Sequence, residues 1–389
     1  MPKTWVVYPH NSFRRLISSM TASMNAIMRR TFFRFLTHTK RAIGCSVMPG
    51  IESLVEIHSL HGFFEWFGQA YLDEGHKVGF IAASDDHLGH PGYNVARPSK
   101  MVHRVGLAAV IAPAKTRDSI FDAMKARHAY ATTVDRILLD ARLNGHLMGD
   151  VVQTDDERNI EIEVMGTAPI DTVSVIKNGQ TFWTESYRDD PELSSEQDIE
   201  VVFYSPSHPL GMVPDNPRPW RVWSGTIEVQ GAVISDVSKT WNNVHLAKQL
   251  GDSDDAQVIN FTTWTRGENR RVRLSLSGAT QDTTIKVNVL ENLEMPTAPA
   301  TQRKPQLVPG VDFEVNLGEV QGAFEHRQQV DAYEDVITVR LTQSDADRHK
   351  KISIVDDTPV RKGDYYYIRV EQANSGLAWS SPFFVEPSK

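Results

Sequence analysis

The chain has 389 residues, more than one ordinary core organises, with 40% hydrophobic and 23% charged residues and a net charge of −8. Its one cysteine, Cys45, excludes an intrachain disulfide framework and a cysteine-based zinc site. No apolar run reaches the roughly eighteen residues of a spanning helix, and the acidic balance argues against nucleic acid as a partner.

The charge is unevenly spread. Residues 1–49 form an atypical basic segment, and the first acid is Glu52. Eight of the 41 Lys and Arg precede it, and none of the 49 Asp and Glu. Leu16, Ile17, Met20, Met24, Ile27 and Met28 fall at helical spacing, punctuated by Arg14, Arg15, Arg29 and Arg30. Three readings fit: a transit-like or membrane-surface helix, a solvated surface helix, or a stretch read from a disturbed frame.

Residues 50–135 alternate strand and helix patterns. Leu54–Ile57 is a short strand candidate, and residues 63–74 read as a helix with Phe64, Phe67, Ala70 and Tyr71 on one face. Val78–Ala83 is a second strand. Gly106–Ala112 is a continuous apolar run, as expected of a strand covered on both faces. Thr116 caps a helix through Arg127, with Asp118 favouring the positive end of its dipole. This alternation predicts a parallel α/β unit.

Residues 136–389 change character. Ile160, Ile162 and Val164 alternate with polar residues, as do Val272, Leu274 and Leu276, then Ile285, Val287 and Val289. The pattern returns at Ile337, Val339 and Leu341 and at Tyr366, Ile368 and Val370. Period-two strands separated by turns such as Asn178-Gly179 predict an antiparallel β-sandwich. Residues 291–310 are proline-rich and read as a surface loop or linker.

The chemistry gathers after Val78–Ala83, where the chain reads Ser84-Asp85-Asp86-His87. Asp85 and His87, two apart, share one side of an extended chain, and a carboxylate with an imidazole suits Zn, Mn or Fe. Asp86 faces away or orients His87. His10 after Tyr8-Pro9 and Glu56 inside an apolar run add donors. The blander readings are a turn-capping Asp, a terminal His and a Glu on an exposed strand face. The pairs His58/His61 and His87/His90 read as polar turn residues. Trp220, Trp223, Trp241 and Trp264 are either a sugar-stacking surface or core packing. No nucleophile elbow, phosphate loop, dinucleotide fingerprint or His-Glu-x-x-His helix occurs.

Four segments, VEIHSLHGFFEWFG, VGFIAASDDHLGHPG, TRDSIFDAMKARHAYATT and DYYYIRVEQANSGLAWSSPFFV, together resemble the polymerase-and-histidinol-phosphatase (PHP) metallohydrolases. They are most similar to an uncharacterised bacterial branch with a β-rich C-terminal domain. The resemblance implies a distorted (β/α)7 barrel holding two or three divalent ions, which hydrolyses phosphate or other small-molecule esters. By motif it assigns Asp85, His87, His10 and Glu56 to metal, and places His61 and Asp86 near substrate. No His-x-His occurs anywhere, so the resemblance implies a barrel lacking its front, and a truncated chain.

The expected fold is therefore α/β plus all-β: a partial (β/α)7 PHP-like barrel followed by an antiparallel β-sandwich domain. The expected function is metal-dependent ester hydrolysis by metal-bound hydroxide. The alternative is a non-catalytic β-sandwich module that binds carbohydrate or another cell-envelope ligand. No nucleic acid or transmembrane segment is expected, and cytoplasm and periplasm both fit.

Overall fold

The computed structural model describes residues 52–85, 105–188, 192–208, 218–239, 245–250, 256–295, 305–322, 325–330, 334–342 and 347–388, together with the short strand Phe35–Leu36. Among these residues helix is confined to Glu65–Asp73, Arg117–Lys125 and Leu317–Gly322, and nearly everything else is strand or turn. None of these helices is long and apolar enough to cross a membrane.

The front is a small sheet. Leu54–Ser59 pairs in parallel with Phe35–Leu36 and with Gly79–Ala82, and antiparallel with the two-residue strand Gly62–Phe63. Glu65–Asp73 crosses between the two parallel strands. Its apolar side, Phe67, Tyr71 and Leu72, buries against Val55 and Phe80. Gly68 permits the close approach: a Cβ there would lie 2.6 Å from the Phe80 ring.

The other side of this helix is polar and bonded. Tyr365 Oη donates to Asp73 (2.8 Å), and Gln69 Nε2 donates to Tyr367 Oη (2.7 Å). Glu65 accepts from Tyr367 Oη (2.5 Å), Trp379 Nε1 (2.9 Å) and Arg369 (3.2 Å). The spacing explains the match. Four helical residues rise about 6 Å and two strand residues about 6.7 Å, so every fourth helical side chain meets every second strand side chain.

The expected partial barrel does not occur among the described residues. Gly106–Val110 pairs antiparallel with Ala129–Thr133, which pairs antiparallel with Leu377–Ser380 near the other end of the chain. The apolar run is also only half covered, with Gly106 alone buried in that strand. Hydrophobicity identified the strand, but it carries no information about partner or direction. The helix after it has the expected cap: Thr116 Oγ1 accepts from the Ser119 N–H (3.3 Å), and Asp118 and Lys125 lie at the favourable ends of the dipole.

The rest forms two antiparallel sandwiches, one inserted in the other. In the host, one sheet runs in the order Gln180–Ser186, Ile170–Lys177, Asp364–Gln372, Leu377–Ser380, Ala129–Thr133, Gly106–Val110. The facing sheet runs His349–Asp356, Arg158–Met165, Leu138–Leu143, His146–Leu147. Ile160, Ile162 and Val164 meet Tyr366, Ile368 and Val370 in its core. The insert occupies residues 196–342. Its first sheet is ordered Val233–Lys239, Asn269–Ser277, Glu196–Tyr204, Val336–Thr342, Glu325–Gln329. Its second is ordered His245–Leu250, Ala256–Thr265, Arg221–Gln230, Thr284–Val289, Val311–Asn316. Val272, Leu274, Leu276, Ile285, Val287, Val289, Ile337, Val339 and Leu341 fill its core.

Buried charge joins the two bodies. Arg271 of the insert contacts host residues Asp171 (3.1 Å) and Glu371 (2.5 Å) and donates to the Ala373 carbonyl (2.7 Å). Glu200 takes Arg340 (2.7 Å) and Arg273 (2.8 Å). Burial pushes the Glu200 carboxyl up, but the charges of Arg271, Arg340 and Arg273 outweigh it and bring it to about 2.

Candidate functional site

Among the described residues, two places carry exposed or half-buried groups with binding chemistry. The first is where the two parallel strands of the front end side by side. The Ala83 N–H donates to the His58 carbonyl (3.1 Å), and the Leu60 N–H donates to the Ser84 carbonyl (3.1 Å). The chain then turns at Asp85, which adopts a left-handed φ of 47°, uncommon outside glycine. This turn brings Asp85 Oδ2 to 3.1 Å from His61 Nε2.

Glu56, inside Leu54–Ser59, is 6% exposed. Burial pushes its carboxyl up, Asp85's negative charge adds to the shift, and a Ser59 hydrogen bond opposes it; the result is about 8. Glu56 is thus neutral at physiological pH while Asp85 pairs with His61. His58 is a packed residue: its Nδ1 lies 3.1 Å from the Gly62 carbonyl, and its ring stacks on Phe63 at 4.0 Å.

Of the sequence-predicted residues, the structure pairs His61 with Asp85 and sets Asp85 near enough to Glu56 for its charge to act on that carboxyl. His10, Asp86 and His87 lie outside the described residues. Among the described residues, no three His, Cys, Asp or Glu side chains are gathered as a metal-holding group.

The second place is the open side of the host sandwich, where Gln180–Ser186 and His349–Asp356 are the edge strands of the facing sheets. In Gln180–Ser186 only Trp183 is even half-buried; the other six residues are exposed. Pairing with the neighbouring strand jumps from Val175↔Trp183 to Ile176↔Thr181, so Phe182 is the extra residue of a β-bulge. Bulges re-aim side chains and interrupt an edge that would otherwise recruit further strands.

Trp183 and Tyr187 from one edge and Ile352 from the other lie half-covered on the host core. Lys350 Nζ stands 4.5 Å from the Tyr187 ring centre, and Lys177 Nζ 5.7 Å from that of Phe182. Burial and the neighbouring Glu185 push the Tyr187 hydroxyl up, so it remains a neutral donor at ordinary pH. Lys177 is fixed by Asp356 (2.6 Å), which also takes Arg158 (3.1 Å) and the Tyr366 hydroxyl (2.7 Å).

The tryptophans singled out in the sequence contribute little here. Trp220 and Trp223 are fully buried, Trp264 is half-buried in the insert, and Trp241 lies outside the described residues. Phe182, Trp183 and Tyr187 escaped notice. Their signal was a strand after Asn178-Gly179 that lacks apolar–polar alternation yet holds three aromatics in QTFWTESY.

Comparison with known proteins gives a family model described as a protein of unknown function (DUF3604), matching residues 93–170. An uncharacterised protein of Chlamydia pneumoniae is 33% identical over 140 residues, 34% of this chain and 22% of the relative. An uncharacterised protein of Chlamydia muridarum is 36% identical over 114 residues, 28% of this chain and 18% of the relative. The matches thus span about a fifth of these relatives' length. Among solved structures, a cohesin module from a Clostridium perfringens family 33 glycoside hydrolase covers 46% of this chain and 96% of its own, at 6% identity and a TM-score of 0.14. That score is too low to support a shared fold or ligand.

These findings correct the expected membership of the PHP hydrolases. The matching family is one of unknown function, the relatives are uncharacterised, and the described chain is nearly all β with no barrel.

Proposed function

We propose that the chain is a binding module for carbohydrate or a related cell-envelope polymer, and that the open side of the host sandwich makes the contact. The observation that carries this reading is the edge strand Gln180–Ser186, which places Phe182 and Trp183 among exposed Gln180, Thr181, Thr184 and Glu185. A sugar ring offers an apolar C–H face ringed by hydroxyls. It is matched by an aromatic surface with hydrogen-bonding side chains around it. The bulge at Phe182 favours a ligand over an added strand. Retention on immobilised bacterial cell-wall polysaccharides tests the reading. Trp183→Ala and Phe182→Ala are each expected to weaken retention at least about tenfold, or about 1.4 kcal/mol, with the fold intact. Unchanged retention in both variants, or none in the parent chain, sinks it.

A second reading rests on the His61–Asp85 pair and on the reach of the Asp85 charge to buried Glu56. We propose that these residues, with His87 two positions past Asp85, hold a divalent ion (Zn, Mn or Fe). What supports it is the donor set: a buried carboxyl kept neutral beside a second carboxylate is relieved by a cation. Once bound, such an ion supplies positive charge to polarise an ester or a water. Equilibrium dialysis with elemental analysis tests it. About one equivalent retained, and lost in Asp85→Asn and His61→Ala, is expected; equal metal in all three chains refutes it.

A further inference from the structure

The hairpin that carries His61 does not stand alone. The loop of residues 266–268 in the insert is built into it. Arg266 Nη1 donates to the His61 carbonyl (2.6 Å), and the Phe63 N–H donates to the Arg266 carbonyl (3.1 Å). The Ser207 hydroxyl donates to the Phe63 carbonyl. The Arg266 guanidinium lies 5.1 Å from the Phe64 ring centre and 5.7 Å from that of Trp220, and its Nε donates to the Arg218 carbonyl (2.6 Å).

Two left-handed glycines make this approach sterically possible. A Cβ on Gly62 (φ 135°) would meet the Arg266 carbonyl at 3.0 Å, and one on Gly267 (φ 89°) would meet the Phe63 carbonyl at 2.5 Å. Burial pulls the Arg266 guanidinium down to about 9 against the opposing charge of Glu268, so it stays charged at neutral pH.

We propose that Arg266 is a positioning residue for the strand-end pair: its guanidinium, reaching out of the insert, holds the hairpin so that the His61 imidazole stays against Asp85. His61 lies at the tip of a two-residue turn between the paired residues Ser59 and Gly62; the Leu60 N–H reaches the Ser84 carbonyl, the His61 N–H reaches Ser59 Oγ (3.2 Å), and Arg266 takes the His61 carbonyl. A charged donor on its own carbonyl therefore fixes its place along the hairpin axis, with the bond from Ser207 and the Phe64 contact behind it. The proposal relies on the metal reading for what the pair does, but not for how the pair is held.

The test reads the His61 ring signal in 1H–13C spectra of the full chain at one fixed pH, without metal. His61→Gln assigns the signal, and Asp85→Asn shows where it falls once the carboxylate is gone. Arg266→Ala is expected to move the signal most of the way to that position while those of His128 and His349, paired elsewhere with Asp150 and Glu163, stay in place. Arg266→Lys, which returns a donor, is expected to move it partly back. If Arg266→Ala does not fold, Ser207→Ala removes only the bond to the Phe63 carbonyl, and a smaller shift in the same direction is expected. An unmoved His61 signal in a folded Arg266→Ala, or in Ser207→Ala where that is the only folded variant, overturns the proposal. So does a common shift of all three histidines. Equal metal in the parent chain and both variants of the dialysis experiment, with this shift intact, would remove the metal reading alone.

Discussion

The host and the insert are both antiparallel sandwiches, but they close their cores differently. The insert uses one continuous run of chain, residues 196–342, and buries Trp223 completely. The host is assembled from pieces on either side of that run, and its chain departs after Gln180–Ser186 and returns at His349–Asp356. On that side its core is incompletely covered, with Trp183, Tyr187 and Ile352 half-buried. A continuous sandwich can complete its own cover. An interrupted one leaves an aromatic rim where the interruption was made, and a rim of that kind suits binding better than a sealed core.

Experiments can strain that contrast in several ways. The largest effect is expected where the bodies meet. Arg271→Ala leaves Asp171 and Glu200 short of a buried cation, costing about 3–5 kcal/mol. It should also split one denaturation transition into two, measured by urea titration with tryptophan fluorescence. Trp223→Ala is expected to cost a similar 3–5 kcal/mol, with the loss falling on the insert, because the indole is buried and donates to Thr265 Oγ1 (2.8 Å). Trp183→Ala, in the same assay, should cost nearer 1–2 kcal/mol while weakening polysaccharide retention at least about tenfold. A reversed order would erase the distinction between sealed core and working rim.

Acid and base should also act with opposite signs on two regions. Glu200 falls from 4.5 to about 2 on folding, so its stabilisation is present above pH 4.5 and is lost as pH falls toward 2. Glu56 rises from 4.5 to about 8, so the folded state keeps a proton that the unfolded state releases. Stability should then decline between pH 4.5 and 8 on its account. Glu56→Gln is expected to flatten that decline and to stabilise the front at pH 8, read from thermal midpoints across pH. The smallest effect is expected at the cap: Thr116→Ala should cost about 1 kcal/mol.

Much of the fold was legible because alternation reports which face is buried. Arg158–Met165 alternates buried and exposed along its whole length, as Ile160, Ile162 and Val164 announced. The helices Glu65–Asp73 and Arg117–Lys125 fall within their expected spans, and Thr116 caps as its side chain suggests. What the pattern could not carry was pairing. Gly106–Val110 looks like a parallel barrel strand from its composition, yet its partner is Ala129–Thr133 running the other way. At the candidate sites, acid and imidazole residues near a strand end identified Asp85 and Glu56, and the His61–Asp85 contact depends on a left-handed turn that no periodicity encodes. The rim aromatics were hidden for the opposite reason: a strand exposed on nearly every residue has no alternation to read.

Ser186 and His349, where the host chain breaks off and resumes, are also the two stems from which the insert hangs. Tyr187 and Lys350 touch across that gap. Any occupant of the rim at these two side chains therefore rests on residues fewer than ten positions from the insert's first and last strands.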